Sequence, residues 1–456
     1  MDENAFQDQH YKEMTEKPIP RLVCKLAWPC IVSNMITAFY NLADTFFVSQ
    51  INTSASAAAG IVFTLMALIQ AVGFCFGTGS GSLIAIHLGK KENDEATKVA
   101  STAFFYSIFA GGIITFIGLL FNVRLVRLLG ATETVASYAE TYARYILIGA
   151  APMAASITLA NQLKSQGNTT LSTIALVIGG VLNVALDPLF IFVFDWGVAG
   201  AAIATVLGQS VSFVLLLIFA NGKKGLTPIK LKSFSFSPST LWGITKIGMP
   251  AFFRQALAAI ATTLLNRAAG NYGDEAIAAM SIVGRVTFFM VSALFGFYQG
   301  FASVCGFNLG AKRHDRVKDS FWFSFKVSVC GISVLALAFF IFSPDIIALF
   351  RNEEAVIKTG AFTLRFHSAI MPIMSWTIFL NFYYQACARS LETTIISVAR
   401  QGIFFIPLIL LLPSWLGLTG VEISQGVADI LTFLATIPLG IKAVKNVKKA
   451  ASDSIN

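Results

Sequence analysis

Two aspartates lie in apolar surroundings that do not tolerate idle charge. Asp44 sits near the end of the run Trp28 to Val48, and Asp187 lies in Asn183-Val-Ala-Leu-Asp187-Pro188. A lone charge in hydrocarbon costs ~2.5–3.5 kcal/mol even on lenient insertion scales, so such a group normally faces a polar cavity and works there. Asn183 and Asp187 are four apart and share one helix face. Counted from the expected helix ends at about 1.5 Å per residue, Asp44, Asp187 and Thr205 lie roughly 8–12 Å below one surface. One cavity is therefore expected to hold Asp44, Asn183, Asp187 and Thr205. Two carboxylates in a low dielectric do not both ionise cheaply. Either one takes up a proton, or Asp44 and Asp187 coordinate Na+ with the Asn and Thr oxygens completing the shell. Either event changes local charge and is expected to bend the first helix at its hinge, Pro29. The bland alternative has both carboxylates reaching the outer interface to bond backbone; side chains so short reach little.

The elements that position these groups follow from composition. Hydrophobic residues make up 55% and charged residues 12%, with a mean hydropathy of +0.71, too little polar surface to face water all round. Nearly uncharged runs of membrane-spanning length recur along the chain. The expected fold is an all-α polytopic membrane protein with twelve transmembrane helices in two pseudo-two-fold related six-helix bundles. The net charge of +9 is parcelled into short loops rather than one basic face, which speaks against nucleic acid. Cys24, Cys30, Cys75, Cys305, Cys330 and Cys387 lack paired spacing and read as small buried hydrophobes. No cleavable signal is evident at the start, where residues 1–21 read as a polar tail.

The bundles are expected at 22–222 and 240–442, joined by a basic linker at 223–239 and followed by a tail at 443–456. Lys and Arg concentrate in the loops on the side of both termini, so both are expected to be cytoplasmic in a multi-pass protein of the plasma (inner) membrane. An internal repeat supports the division. Lys25-Leu-Ala-Trp-Pro29 aligns with Lys246-Ile-Gly-Met-Pro250, His87-Leu-Gly89 with Asn308-Leu-Gly310, and Pro152 with Pro372. Six spans per copy make the repeat parallel, an architecture of secondary transporters that rock two bundles about a central site.

Asn41-Leu-Ala-Asp44-Thr-Phe-Phe-Val48 resembles the first-helix motif of the multidrug and toxic compound extrusion (MATE) transporters. Asn183-Val-Ala-Leu-Asp187-Pro188-Leu-Phe-Ile191 resembles their fifth-helix motif, and Lys164-Ser-Gln-Gly167-Asn168-Thr their loop after helix 4. The resemblance covers nearly the whole chain, and Gly248-Met-Pro250-Ala-Phe-Phe-Arg254-Gln255 is similar to the MepA-like branch. It implies export of cationic and amphipathic drugs in exchange for H+ or Na+, with the first-half carboxylates, Asn183 and Thr205 as the cation site. By repeat register Asp44 matches Leu265 and Asp187 matches Pro407, so the second half lacks the pair. Coupling is expected in the first half alone.

The second half carries its own ionisable groups, Arg254, Arg285, Arg400, Glu422 and Asp429. Asp429 is expected to form a structural ion pair with one of these arginines, and a gating or substrate role is the alternative. Tyr40, Gln70, Asn161, Phe288, Gln299, Asn381 and Tyr384 are candidates for a central cavity with apolar walls, where aromatic faces suit cations. His10, His87 and His314 are expected in solvent, and His367 in packing. Glycines 73, 77, 79 and 81 are expected to allow close helix packing. A lipid-linked precursor flippase is the competing transporter reading, against which the acidic cluster speaks. No His-Glu-x-x-His or serine–histidine constellation supports an intramembrane enzyme, and no Walker motif supports nucleotide binding. The expected partners are drug-like compounds and the bilayer, with no cofactor beyond the coupling ion and a monomeric state.

Overall fold

A backbone in hydrocarbon must satisfy its own hydrogen bonds, and a helix does so within one segment. The computed structural model describes residues 3–453; residues 1–2 and 454–456, at the tips of the two expected tails, lie outside the described residues. Among those described, seventeen α-helices follow one another without strands. They are α1 (Glu3–Glu16), α2 (Ile19–Ser49), α3 (Thr53–Gly89), α4 (Asn93–Leu120), α5 (Asn122–Leu128), α6 (Glu133–Ile148), α7 (Ala150–Ser165), α8 (Thr169–Pro188) and α9 (Gly197–Asn221). After the linker come α10 (Pro238–Gly270), α11 (Asp274–Gly310), α12 (His314–Ile341), α13 (Ser343–Phe350) and α14 (Glu354–Ala386). The chain finishes with α15 (Ser390–Val398), α16 (Ile406–Leu416) and α17 (Leu418–Asp453). Two π-helical segments interrupt it, Leu189–Val193 after α8 and Ala399–Phe405 between α15 and α16.

Among the described residues ten spans are long and apolar enough to cross a membrane, and α6 with α7, bent by 54°, makes an eleventh when the pair is taken as one span. The 33-residue α14 is long enough but falls outside that apolar set. It occupies the repeat position of α6 plus α7.

The repeat is visible in the backbone. Lys91 and Lys312, 221 positions apart, both adopt left-handed φ, 63° and 56°, and Gly167 and Ala388 do the same at 84° and 55°. Each is the residue just past a helix end whose successor donates back five residues, as Glu92 to His87 and Arg313 to Asn308, both at 2.9 Å. A non-glycine in that region costs about 1 kcal/mol, so three such residues mark turns that the packing enforces.

Several expectations change. The first span starts at Ile19 rather than 22, and the expected N-terminal tail is helix α1 followed by a short turn. The expected tail after 442 continues as helix to Asp453, because Val447 packs into the core. His10 is not in solvent: its ring packs 6.0 Å from that of Phe307, and burial holds its imidazole below the usual value. Cys24 and Cys330 are exposed rather than buried, on outward helix faces.

Residues 19–221 and 238–453 meet mainly through α2 against α11 and α3 against α10 and α11. Glycines let these backbones touch: Gly248 lies against Cys75, Gly296 against Ile31, Gly300 against Ala27 and Gly310 against Ile86. All lie toward the start of α2 and α10 and the end of α3 and α11, at the end that carries the chain termini. Helix α1 spans the seam there. Its Gln7 accepts from Asn93 at 2.7 Å, and its Met14 carbonyl accepts from Asn308 at 3.1 Å and from Arg316 at 3.3 Å. Among the described residues, the hydrogen bond between the halves that lies farthest from that end is Asn34 Nδ2 to the Ser292 carbonyl, 3.3 Å.

Candidate functional site

Asp44 sits five residues before the end of α2, half-buried, and Asp187 next to the end of α8, fully buried. Both lie away from the seam. The Tyr142 hydroxyl, from α6, donates to Asp44 Oδ2 at 3.2 Å and Oδ1 at 3.4 Å. It also stands beside Asp187 and Thr205. Asn183 Nδ2 donates to Thr205 Oγ1 at 3.3 Å and Asp187 Oδ1 at 3.4 Å. α8, α9, α6 and α2 thus bring Asp44, Asn183, Asp187 and Thr205 around one phenol.

The oxygens left over decide what the cluster can do. Asp187 Oδ2 and Asn183 Oδ1 are buried without a hydrogen-bond partner. Buried acceptors in native proteins are almost always satisfied, and each orphan costs ~1–3 kcal/mol. No Lys or Arg forms an ion pair with either aspartate among the described residues. Chemically, such a set of acceptors is able to take up a proton on a carboxyl group or to coordinate a cation.

Tyr142 went unnoticed in the sequence, although the depth count applied to Asp44 finds it nine residues into α6. Gln209 was also missed; its Nε2 donates to the Tyr40 hydroxyl at 3.2 Å and ties α9 to α2. The hinge candidate Pro29 lies inside an unbroken α2, its carbonyl accepting from Thr173 at 2.7 Å.

The other cavity candidates scatter. Gln70 and Asn161 are half-buried, and Phe288 is exposed. Gln299 accepts from Lys164 at 3.1 Å at the seam. Tyr384 is packed inside the second half, where its hydroxyl donates to the Leu439 carbonyl at 2.7 Å. Asn381 is buried and donates to Ser397 Oγ and the Thr393 carbonyl, 2.8 and 3.2 Å.

In the second half Arg400, on the π-helical segment, donates through Nε to Asp429 Oδ1 at 2.6 Å. Thr287, His367, Gln425 and this pair line a cavity of about 20 Å³, room for one water. Into it face two buried, unpartnered atoms, Thr287 Oγ1 and His367 Nε2. Arg285 is exposed rather than buried, and Glu422 is buried.

The MatE family model matches this chain twice, over residues 29–189 and 250–411. It belongs to the MatE family. The two matched stretches begin 221 positions apart, the spacing of the backbone repeat. This MatE protein is a multi-pass membrane transporter rather than an enzyme. It is 24% identical over 437 residues to the multidrug export protein MepA of Staphylococcus aureus strain N315, covering 95% of this chain and 96% of that one. The fold matches a solved MATE structure in complex with MaL6, with a TM-score of 0.89, 24% identity and coverage of 96% and 99%. It also matches an outward-facing multidrug resistance MATE family transporter of the MOP superfamily, with a TM-score of 0.88, 24% identity and coverage of 96% and 98%.

Proposed function

We propose that this MatE protein is a secondary active multidrug efflux antiporter. It exports cationic and amphipathic compounds in exchange for H+ or Na+ entering at the Asp44–Asp187 cluster. The observation that carries this is the uncompensated set of buried oxygens at Asp187 Oδ2 and Asn183 Oδ1 beside a second carboxylate. A cation relieves that cost when it binds, and its binding favours whichever conformation keeps the oxygens together. The naming of the similar MepA proteins as multidrug export proteins supports the direction and breadth of transport.

In this reading the seam at the terminal end, held by α1 and the glycine contacts, is the cytoplasmic gate in its closed state, and the cluster opens outward. Cation entry from outside loosens drug binding, and release inside resets the cycle. Purified protein in liposomes loaded with ethidium tests it under separate pH and Na+ gradients. Gradient-driven efflux that disappears in Asp44→Asn and Asp187→Asn supports the antiporter and identifies the ion. Efflux by both variants at the wild-type rate removes the cluster from coupling.

A further inference from the structure

The second half is led by lysines that the chain does not neutralise. Between Asp195 and Asp274 there are five lysines, Lys223, Lys224, Lys230, Lys232 and Lys246, and not one Asp or Glu. All five are exposed, and among the described residues none forms an ion pair. The repeat makes the omission informative. Lys246 occupies the register of Lys25, 221 positions earlier, and residues 224–237 occupy that of α1. Glu13 of α1 pairs with Lys25, whereas the stretch ahead of Lys246 brings only further cations. The first copy supplies its own counter-charge. The second leaves that place to something outside the chain.

This stretch is pinned to the helices rather than looped into solvent. Asn221 Oδ1 accepts from the Ile229 backbone at 2.8 Å. The buried hydroxyls of Ser101 and Thr102, on α4, accept from the backbones of Lys230 and Ser235, both at 3.1 Å. Phe234 lies 5.5 Å from the rings of both Phe105 and Tyr106. With 28 residues α4 is about 42 Å long, against ~30 Å of hydrocarbon. Its surplus belongs at the end with Asp94, Glu95 and Lys98, which puts the hydrocarbon edge about eight residues in, beside Ser101. Irregular backbone at that depth needs its polar groups satisfied, and the two hydroxyls do so. Leu231, Phe236 and Trp242 turn outward here, 73%, 81% and 64% exposed. Trp242 and Lys246 are four apart on α10 and share a face. Large apolar side chains beside lysines, where acyl chains give way to headgroups, suit a surface that rests in a bilayer interface.

We propose that residues 230–246 form a docking surface for anionic phospholipid headgroups of the leaflet on the side of the chain termini. Leu231, Phe236 and Trp242 enter the acyl boundary, and Lys230, Lys232 and Lys246 take the phosphates. Charge complementarity names the partner, and the lipid phosphate does for Lys246 what Glu13 does for Lys25. An acidic protein segment matches the lysines but has to displace lipid to cover Phe236 and Trp242. The proposal rests on membrane insertion alone and is independent of what the protein exports.

Bromine on a lipid quenches a tryptophan that the lipid touches. Purified full-length protein is placed in phosphatidylcholine vesicles containing either brominated phosphatidylglycerol or brominated phosphatidylcholine. Each protein is compared with its own Trp242→Phe form, so that the difference in emission belongs to Trp242. The wild type is expected to favour phosphatidylglycerol about tenfold at this position. Lys230→Gln, Lys232→Gln and Lys246→Gln together are expected to bring the ratio to about one. Lys318→Gln, Lys445→Gln and Lys448→Gln remove the same charge elsewhere and are expected to keep the preference. All six side chains are exposed, so neither variant disturbs the core. No preference in the wild type, a preference that survives the first variant, or equal loss in both variants overturns the proposal. Quenching of Trp242 by neither lipid does so too, and gives the face to a protein partner.

Discussion

Lys164 Nζ donates to Gln299 Oε1 at 3.1 Å across the seam, joining α7 of the first half to α11 of the second. The lysine is buried, and no carboxylate pairs with it among the described residues. Its own carbonyl accepts from Ser303 at 2.7 Å. A buried ammonium with a single side-chain acceptor belongs to one conformation of the halves and not to another.

Gln299→Leu therefore removes about 1–3 kcal/mol of support from the closed terminal end. Spin labels at Ser49 and Glu275, on the opposite end, are expected to shift toward shorter distances as that end closes. An unchanged distance distribution reduces the pair to ordinary packing.

Tyr142→Phe deletes the donor to Asp44 and leaves the ring volume in place. Hydrogen bonds to charged groups are worth about 1.5–3 kcal/mol, and the 3.2–3.4 Å geometry points to the lower end. The concentration of driving ion at half-maximal efflux should move about tenfold, with dye affinity in the absence of ion unchanged. A shift confined to dye affinity places Tyr142 in the substrate path instead.

The Arg400–Asp429 pair is structural in this account. Asp429→Asn strands a guanidinium and should cost about 3 kcal/mol, read as a lowered melting temperature in detergent. Arg400→Gln combined with Asp429→Asn is expected to recover part of that loss. A single substitution with wild-type melting contradicts the assignment.

Helix α1 is held partly by charge. Partial burial opposes the charge on Glu13, but the ammonium groups of Lys25 and Lys17 outweigh it and hold the carboxyl below its ordinary 4.5. A depressed carboxyl contributes stability that is complete above its unfolded value and is lost as pH falls through the folded one. Hydrogen-exchange protection in residues 3–16, taken relative to the intrinsic exchange rate at each pH, is therefore expected to fall below about pH 4.5, and Glu13→Gln to remove that loss. Protection that stays constant across that pH range in the wild type would falsify the role of Glu13.

Much of this was legible because membrane helices obey simple counting. Asp44, Asn183, Asp187 and Thr205 meet because depth below a surface and four-residue spacing suffice to place them when helices are regular. Counting fails where side chains cross between helices. Tyr142 contributes from α6 through a neutral hydroxyl, so no charge in hydrocarbon betrays it. Tyr384 looks like a cavity aromatic, yet its hydroxyl is used on the Leu439 carbonyl. His10 was misplaced because α1 is polar by composition but folds onto Phe307, a contact no periodicity announces. Arg400 found Asp429 from a π-helical segment, where regular face arithmetic no longer holds.

The glycine contacts between α2 and α11 and between α3 and α10 have a thermodynamic consequence. A glycine that meets a facing backbone has no rotamer of its own to freeze, so forming this joint sacrifices little side-chain entropy. Separating it restores little as well. The enthalpy of such a surface is dispersion spread over many weak atom pairs, which fades steeply with distance. At these glycine contacts the attraction between the halves is short-ranged and nearly entropy-neutral, in contrast to the side-chain hydrogen bonds beside them.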